Sequence, residues 1–363
     1  MSLKKYIWPL IGIAAMVLSI RILYNEFLNP KSELSKLSLN ELFERIGNLS
    51  LHHWILACLF SIVAYCALAG YDRIALEHLG RKISWLFIAA CSFTTYALSH
   101  NIGASVFSGA AVRYRAYSLK GLSGSEIALL VGFCSFTFAL GTILLAGCVL
   151  TLRPELILVV KPYLGDAFET DFSSDNLILL ASIIGLVLLG IISLYIFGSW
   201  LQFKPFKIGK KFQIAYPRLT IVAQQLIIGP LELLGAAGII YSALPDTANV
   251  EFIVVLGAFL ASFTVGLLSN APGGGLGVLE VIFIGLIPGI DARDLLVALI
   301  VFRLLYLIIP LIISLFFVAI FEVQQYHSRS SAKTTHARAA DNTAFSAPSD
   351  CPAKVSQGKS EPQ

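Results

Sequence analysis

The sequence predicts an all-α, polytopic helical membrane protein. Three observations carry that expectation. Of 363 residues, 57% are apolar and only 13% are charged, about half the charged share of a soluble domain. The apolar residues fall in long continuous runs, not in the alternating pattern of a membrane β-barrel. Two of these runs are interrupted by Gly, Ser, Asn and Pro at matching places. A soluble fold could not hide so much apolar surface, and the mean hydropathy of +0.80 agrees. A cytosolic enzyme, a nucleic-acid binder and a disordered scaffold are thereby excluded, and the net charge of +4 serves topology instead.

A helix needs about 20 apolar residues to cross about 30 Å of hydrocarbon. Six full spans meet this need: Tyr6–Leu23, Trp54–Tyr71, Glu126–Leu150, Leu177–Phe197, Leu219–Ala243 and Leu295–Phe321. The first follows Lys4 and Lys5 and lacks a small-residue cleavage site, so it reads as an uncleaved span and not as a signal peptide. Two further regions read as broken-helix hairpins. Ser84–Leu98 is short and leads into the small-residue stretch Ser99–Gly109. Glu251–Ser269 is cut by Asn270-Ala271-Pro272-Gly273-Gly274-Gly275-Leu276-Gly277, and Val278–Ile290 is too short to span alone.

Basic loops alternate with acidic ones. Arg73, Arg81 and Lys82, then Arg113, Arg115 and Lys120, then Lys204 to Arg218 form the basic set. Glu155, Asp166, Glu169, Asp171 and Asp175, then Asp246 and Glu251, form the acidic set. The positive-inside rule then puts both termini in the cytoplasm. A domain of residues 1–325 precedes a tail, 326–363, rich in Ser, Ala, Thr, Lys and Pro, which is expected to be disordered. A shift of roughly 170 residues superimposes four apolar segments and both interruptions. The halves, about 1–150 and 171–321, therefore read as an inverted repeat, whose interrupted segments point to a central site.

Charges at membrane depth are costly and mark functional candidates. Glu232, in Gly229-Pro230-Leu231-Glu232, lies near the middle of its span. It reads as a headgroup or proton site, or as an acid paired for packing. Arg303 lies two turns into the last span. Glu280 either pairs with it or caps a helix N-terminus. Asp72 and Arg73 close the second span as a site or as a solvated loop pair. Arg113 ends the first hairpin, and Arg115 beside it is assigned to topology. Gln224 and Gln225 suit interhelical hydrogen bonds, and His100 beside Asn101 suits a proton relay. The glycine run lacks the GK[ST] ending of a P-loop and the third glycine of a dinucleotide motif. Five of six cysteines lie in apolar runs, without metal-ligand spacing. No cofactor, metal or catalytic constellation is expected, and the chain is read as a non-enzyme.

Three stretches carry a family resemblance: Tyr71-Asp72-Arg73 through Arg81; Ser99-His100-Asn101-Ile102-Gly103 through Arg113-Tyr114-Arg115-Ala116-Tyr117; and Asn270 through Glu280. Together they resemble the lysylphosphatidylglycerol synthase transmembrane-region family, over about residues 1–325. This family includes the flippase half of the bacterial multiple peptide resistance factor. The resemblance implies a bacterial inner-membrane protein that moves aminoacylated phosphatidylglycerol between leaflets and lowers susceptibility to cationic antimicrobial peptides. It assigns substrate contact to Asp72, Arg113, Gly273, Gly275, Gly277 and Glu280. Glu232, Arg303 and Asn270 join them on the depth and break arguments. The synthase domain of the family is not in this sequence, which leaves the lipid open. The implied partners are a membrane phospholipid, a separate lipid synthase and a second copy of the chain, with no nucleic acid. A non-transporting scaffold for a lipid-synthesis partner and a membrane lipid-modifying enzyme are the alternative readings.

Overall fold

The computed structural model describes residues 39–102, 105–160, 173–201, 206–208, 212–214, 217–268 and 277–320. Chain contacts divide it into two compact units, Met1–Leu315 and Phe316–Gln363. In the second, the described residues 316–320 are helical. The first expected span, Tyr6–Leu23, and the tail lie outside the described residues.

The described helices run α1 (Leu39–Gly47), α2 (Leu51–His78), α3 (Trp85–Ile102), α4 (Ser105–Ser118), α5 (Gly124–Leu152), α6 (Ser174–Trp200), α7 (Leu219–Ser242), α8 (Phe252–Leu268), α9 (Val278–Leu286) and α10 (Ala292–Ile320). Five of them, α2, α5, α6, α7 and α10, are long and apolar enough to cross a membrane. They correspond to the second to sixth expected spans. The sequence placed Asp72 at a span end, but α2 continues six residues beyond it to His78. Both interrupted regions are pairs of packed helices, α3 with α4 and α8 with α9. The all-α class holds, with one addition. In the basic loop between α6 and α7, β1 (Phe206–Ile208) pairs antiparallel with β2 (Phe212–Ile214).

The described helices contact one another in a parallel pattern along the two expected halves. Within the first half α2 touches α3 and α5, α3 touches α4, and α4 touches α5. Within the second half α7 touches α8 and α10, α8 touches α9, and α9 touches α10. Across the halves α2 packs along α7, and the contacts α5–α7 and α5–α8 are mirrored by α10–α2 and α10–α3. The opposite insertion of the two copies rests on the loop charges.

Local chemistry sets several boundaries. Ser123 caps α5 in a reciprocal box: its hydroxyl accepts from the Glu126 N–H, and Glu126 Oε2 accepts from the Ser123 N–H at 2.8 Å. Glu126 also binds Arg81 at 2.7 Å, which ties the α2–α3 loop to the start of α5. Arg45 of α1 reaches Asp294 at 2.5 Å, and Arg293 reaches Glu41 at 2.9 Å, so α1 is pinned to the first turn of α10. The large core draws on α2, α3, α4, α5, α7, α8, α9 and α10 and contains Tyr71, Phe259, Phe283, Phe302 and Tyr306. The outer face of α6 carries exposed Leu179, Leu186, Val187, Leu194 and Phe197. Such a face needs hydrocarbon beside it.

Helices α5 and α7 cross at backbone contact. A Cβ built on Gly141 would lie 2.4 Å from the Gly229 carbonyl carbon and 2.8 Å from the Pro230 nitrogen. No side chain at the crossing can yield, because the obstruction is main chain. Gly141→Ala is therefore expected to force the helices apart and to cost about 1–3 kcal/mol. A thermal unfolding midpoint in detergent equal to that of the wild type would contradict this packing.

Candidate functional site

The buried polar residues converge in the bundle interior around α2, α7 and α10. Glu232 sits midway along α7, 1% exposed. Pro230, two residues earlier, removes one backbone N–H from the helix. Glu232 Oε1 accepts from the Tyr306 hydroxyl of α10. Its Oε2 faces the Tyr71 hydroxyl of α2 at 3.4 Å, and that hydroxyl also reaches the Gly229 carbonyl at 3.1 Å. Among the described residues no cation lies within ion-pair distance of Glu232. Two phenols are its polar contacts, so packing against a partner charge does not explain its retention.

Asp72 forms the second centre and is fully buried. Arg113, 4% exposed, donates from Nη2 to Asp72 Oδ1 at 2.6 Å and from Nε at 3.1 Å. Tyr117 donates to Oδ2 at 2.8 Å, and the Cys134 thiol to Oδ1 at 3.4 Å. Four donors from α2's neighbours α4 and α5 thus neutralise one carboxylate. The solvated-loop reading of Asp72 is overturned; Arg73 beside it is exposed. The helix turns Asp72 inward, onto the same bundle interior as Tyr65 and Tyr71.

Glu280 forms the third centre. It is the third residue of α9 and accepts the Gly277 N–H at 2.8 Å. Gly277 has φ +84°, a left-handed value that disfavours a side chain. Glu280 Oε1 also accepts from Arg303 Nε of α10. Both roles weighed for Glu280, helix cap and Arg303 partner, are therefore met at once. Asn270, Gly273 and Gly275 lie outside the described residues.

Aromatic rings join these centres. The Arg113 guanidinium lies 4.9 Å above the Tyr96 ring. Tyr96 meets Tyr71 edge-on at 6.2 Å and His100 at 5.7 Å. His100 stacks on Tyr306 at 5.4 Å, and Tyr306 binds Glu232. Asp72, Arg113, Tyr96, His100, Tyr306, Glu232 and Tyr71 thus form a closed circuit. Arg303, which holds Glu280, stands one turn before Tyr306 on α10.

The path of α10 through this site is irregular. Leu304–Ile308 form a π turn, in which the Ile309 N–H bonds the Leu304 carbonyl. Pro310 has no N–H for the Tyr306 carbonyl and crowds it, and a widened turn relieves that clash. The released carbonyls are met by side chains of the first half. Ser61 donates to Leu305 O at 2.8 Å, Tyr65 to Tyr306 O at 2.9 Å, and Asn101 to Leu307 O at 3.1 Å. Gln225 makes a separate bridge, from Tyr195 at 2.7 Å to Thr137 at 2.8 Å; Gln224 is only half-buried.

Sequence reasoning missed the tyrosines, which supply both hydrogen bonds to Glu232 and one of those to Asp72. Helical spacing was the available signal. Tyr71 adjoins Asp72, and Tyr306 lies three residues after Arg303, hence on the same face.

Together the fold and the site define a polytopic helical membrane protein with a cluster of ionisable groups buried among its packed helices. No protein-family model matches the chain. It is 31% identical over 266 residues to the inner membrane protein YbhN of Escherichia coli, covering 72% of this chain and 78% of that one. It is 30% identical over 275 residues to the uncharacterized protein slr0712 of Synechocystis, covering 75% and 80%. The chain belongs to the family of these two proteins.

Proposed function

We propose that this protein is a lipid translocase of the bacterial inner membrane. It moves a phospholipid headgroup of the aminoacylated phosphatidylglycerol class between leaflets and does no covalent chemistry on it. The observation that carries the reading is Glu232, a carboxylate deep in an apolar bundle, held by phenols and left without a cation among the described residues. Such a group is expensive to keep and is suited to a cationic ligand. The inner-membrane name of the Escherichia coli relative supports the location. The motif resemblance to the lysylphosphatidylglycerol synthase transmembrane region supports the lipid class.

The geometry suggests how the steps divide. A headgroup with an amine and a phosphate needs an acid and a base inside hydrocarbon. Glu232 receives the amine. Arg113 and Arg303 stay paired with Asp72 and Glu280, and each guanidinium has further N–H donors to offer the phosphate. Arg113 belongs to the first half and Arg303 to the second, so relative motion of the halves transfers the phosphate from one arginine to the other. The acyl chains stay in lipid throughout.

The test is reconstitution of the full chain in phosphatidylcholine vesicles with a trace of acyl-labelled lysylphosphatidylglycerol, read by quenching of the label exposed outside. Inversion is expected at least tenfold faster than in protein-free vesicles. Equal rates would sink the assignment.

A further inference from the structure

Of the three buried carboxylates among the described residues, two already have their own cation. Asp72 is held by Arg113 and Glu280 by Arg303. Glu232 differs, since among the described residues its oxygens meet only the Tyr306 and Tyr71 hydroxyls. A buried carboxylate in this setting has two routes to neutrality: it takes a proton, or it takes a cationic ligand. Both occupy the same two oxygens, so they exclude each other.

We propose that Glu232 is an exchange site, occupied in turn by a proton and by the amine of the transported headgroup. The inference deepens the translocase reading and rests on it. Arrival of the ammonium group expels the proton, and arrival of a proton releases the ammonium. Each brings one positive charge, so the exchange leaves the charge at Glu232 unchanged. For a lipid of net charge +1, outward movement of lipid against inward movement of a proton is electroneutral, and the proton gradient is the driving force.

The surroundings isolate this titration. Tyr65 and Tyr71 face Glu232 from α2, and the adjacent Asp72 is locked by Arg113. From α5 come Cys134, which donates to Asp72, and Thr137. From α6 comes Tyr195, bound to Gln225 two turns from Glu232. Helix α8 carries no ionisable residue. From α10 come Tyr306 and Arg303, the latter held by Glu280. A proton carrier stands alongside: the His100 ring of α3 stacks on Tyr306 at 5.4 Å, and its Nδ1 is buried with no partner among the described residues.

The experiment uses the same vesicles with an imposed pH difference and a potassium-clamped membrane potential. With the outside one pH unit more acid, the steady-state outer-to-inner ratio of labelled lysylphosphatidylglycerol is expected to rise about tenfold, as a one-for-one exchange requires. Labelled phosphatidylglycerol, which has no amine, is expected not to respond, and changing the potential at fixed pH is expected to leave the ratio alone. Glu232→Asp keeps the response, while Glu232→Gln abolishes it. Wild-type inversion of the lysyl probe with a ratio indifferent to pH would overturn the exchange and leave translocation standing. A Glu232→Gln protein that still follows the gradient would remove Glu232 from it. No inversion of either probe would overturn the translocase reading and this inference together.

Discussion

Asp72→Ala is expected to lower stability by about 3–5 kcal/mol, the range for breaking a buried ion pair by deleting one partner. The loss comes less from the missing attraction than from what stays behind. Arg113 is 4% exposed, and without Asp72 its guanidinium keeps the face of Tyr96 at 4.9 Å but no carboxylate among the described residues. The Tyr117 hydroxyl and the Cys134 thiol lose their acceptor in the same step. Asp72→Ala combined with Arg113→Ala is expected to recover part of the loss, because the stranded charge is gone. Unfolding midpoints in detergent for the two single variants and the pair form a double-mutant cycle. Strict additivity would mean that the pair is not coupled as the structure shows.

Glu232→Gln is expected to behave in the opposite way. Inversion of labelled lysylphosphatidylglycerol should fall at least tenfold, while the unfolding midpoint should stay level or rise. The amide has the shape of the carboxylate, can still accept from Tyr306, and removes a buried charge that lacks a cation among the described residues. Sites retained for function commonly cost stability in this way. A structural role for Glu232 predicts the reverse, a destabilised protein whose folded fraction transports normally. Measuring both quantities on one preparation separates the two.

The sequence was most legible where physics acts on long segments. Continuous apolar runs located α2, α5, α6, α7 and α10, and small-residue breaks located the two helix pairs. It was least legible where a polar residue hides inside a helix end. Asp72 and Arg73 resemble a loop because charge usually marks the water boundary, yet α2 continues beyond them and turns the first inward and the second outward. The pairing of Asp72 with Arg113 joins residues 41 positions apart, which no local pattern reveals. Tyr71 and Tyr306 are uncharged residues within apolar runs, so no charge at membrane depth drew attention to them. The π turn was marked in advance by Pro310, four residues after Tyr306, but a proline in a span does not say how the helix accommodates it. In the loop after α6, Phe206–Ile208 and Phe212–Ile214 were masked by the lysines around them and counted as topology alone.

The touching backbones of Gly141 and Gly229 have a mechanical corollary. In the proposed translocation cycle neither can slide past the other, so a rocking motion would turn on that point like a fulcrum. Glu232 lies three residues beyond Gly229, about 4.5 Å along the axis. The carboxylate therefore sits almost on the pivot, where a swing that carries the helix ends many ångströms shifts it hardly at all. A stationary charge with doors that open alternately on either side needs no long journey for the ion it holds, only a small tilt of the walls.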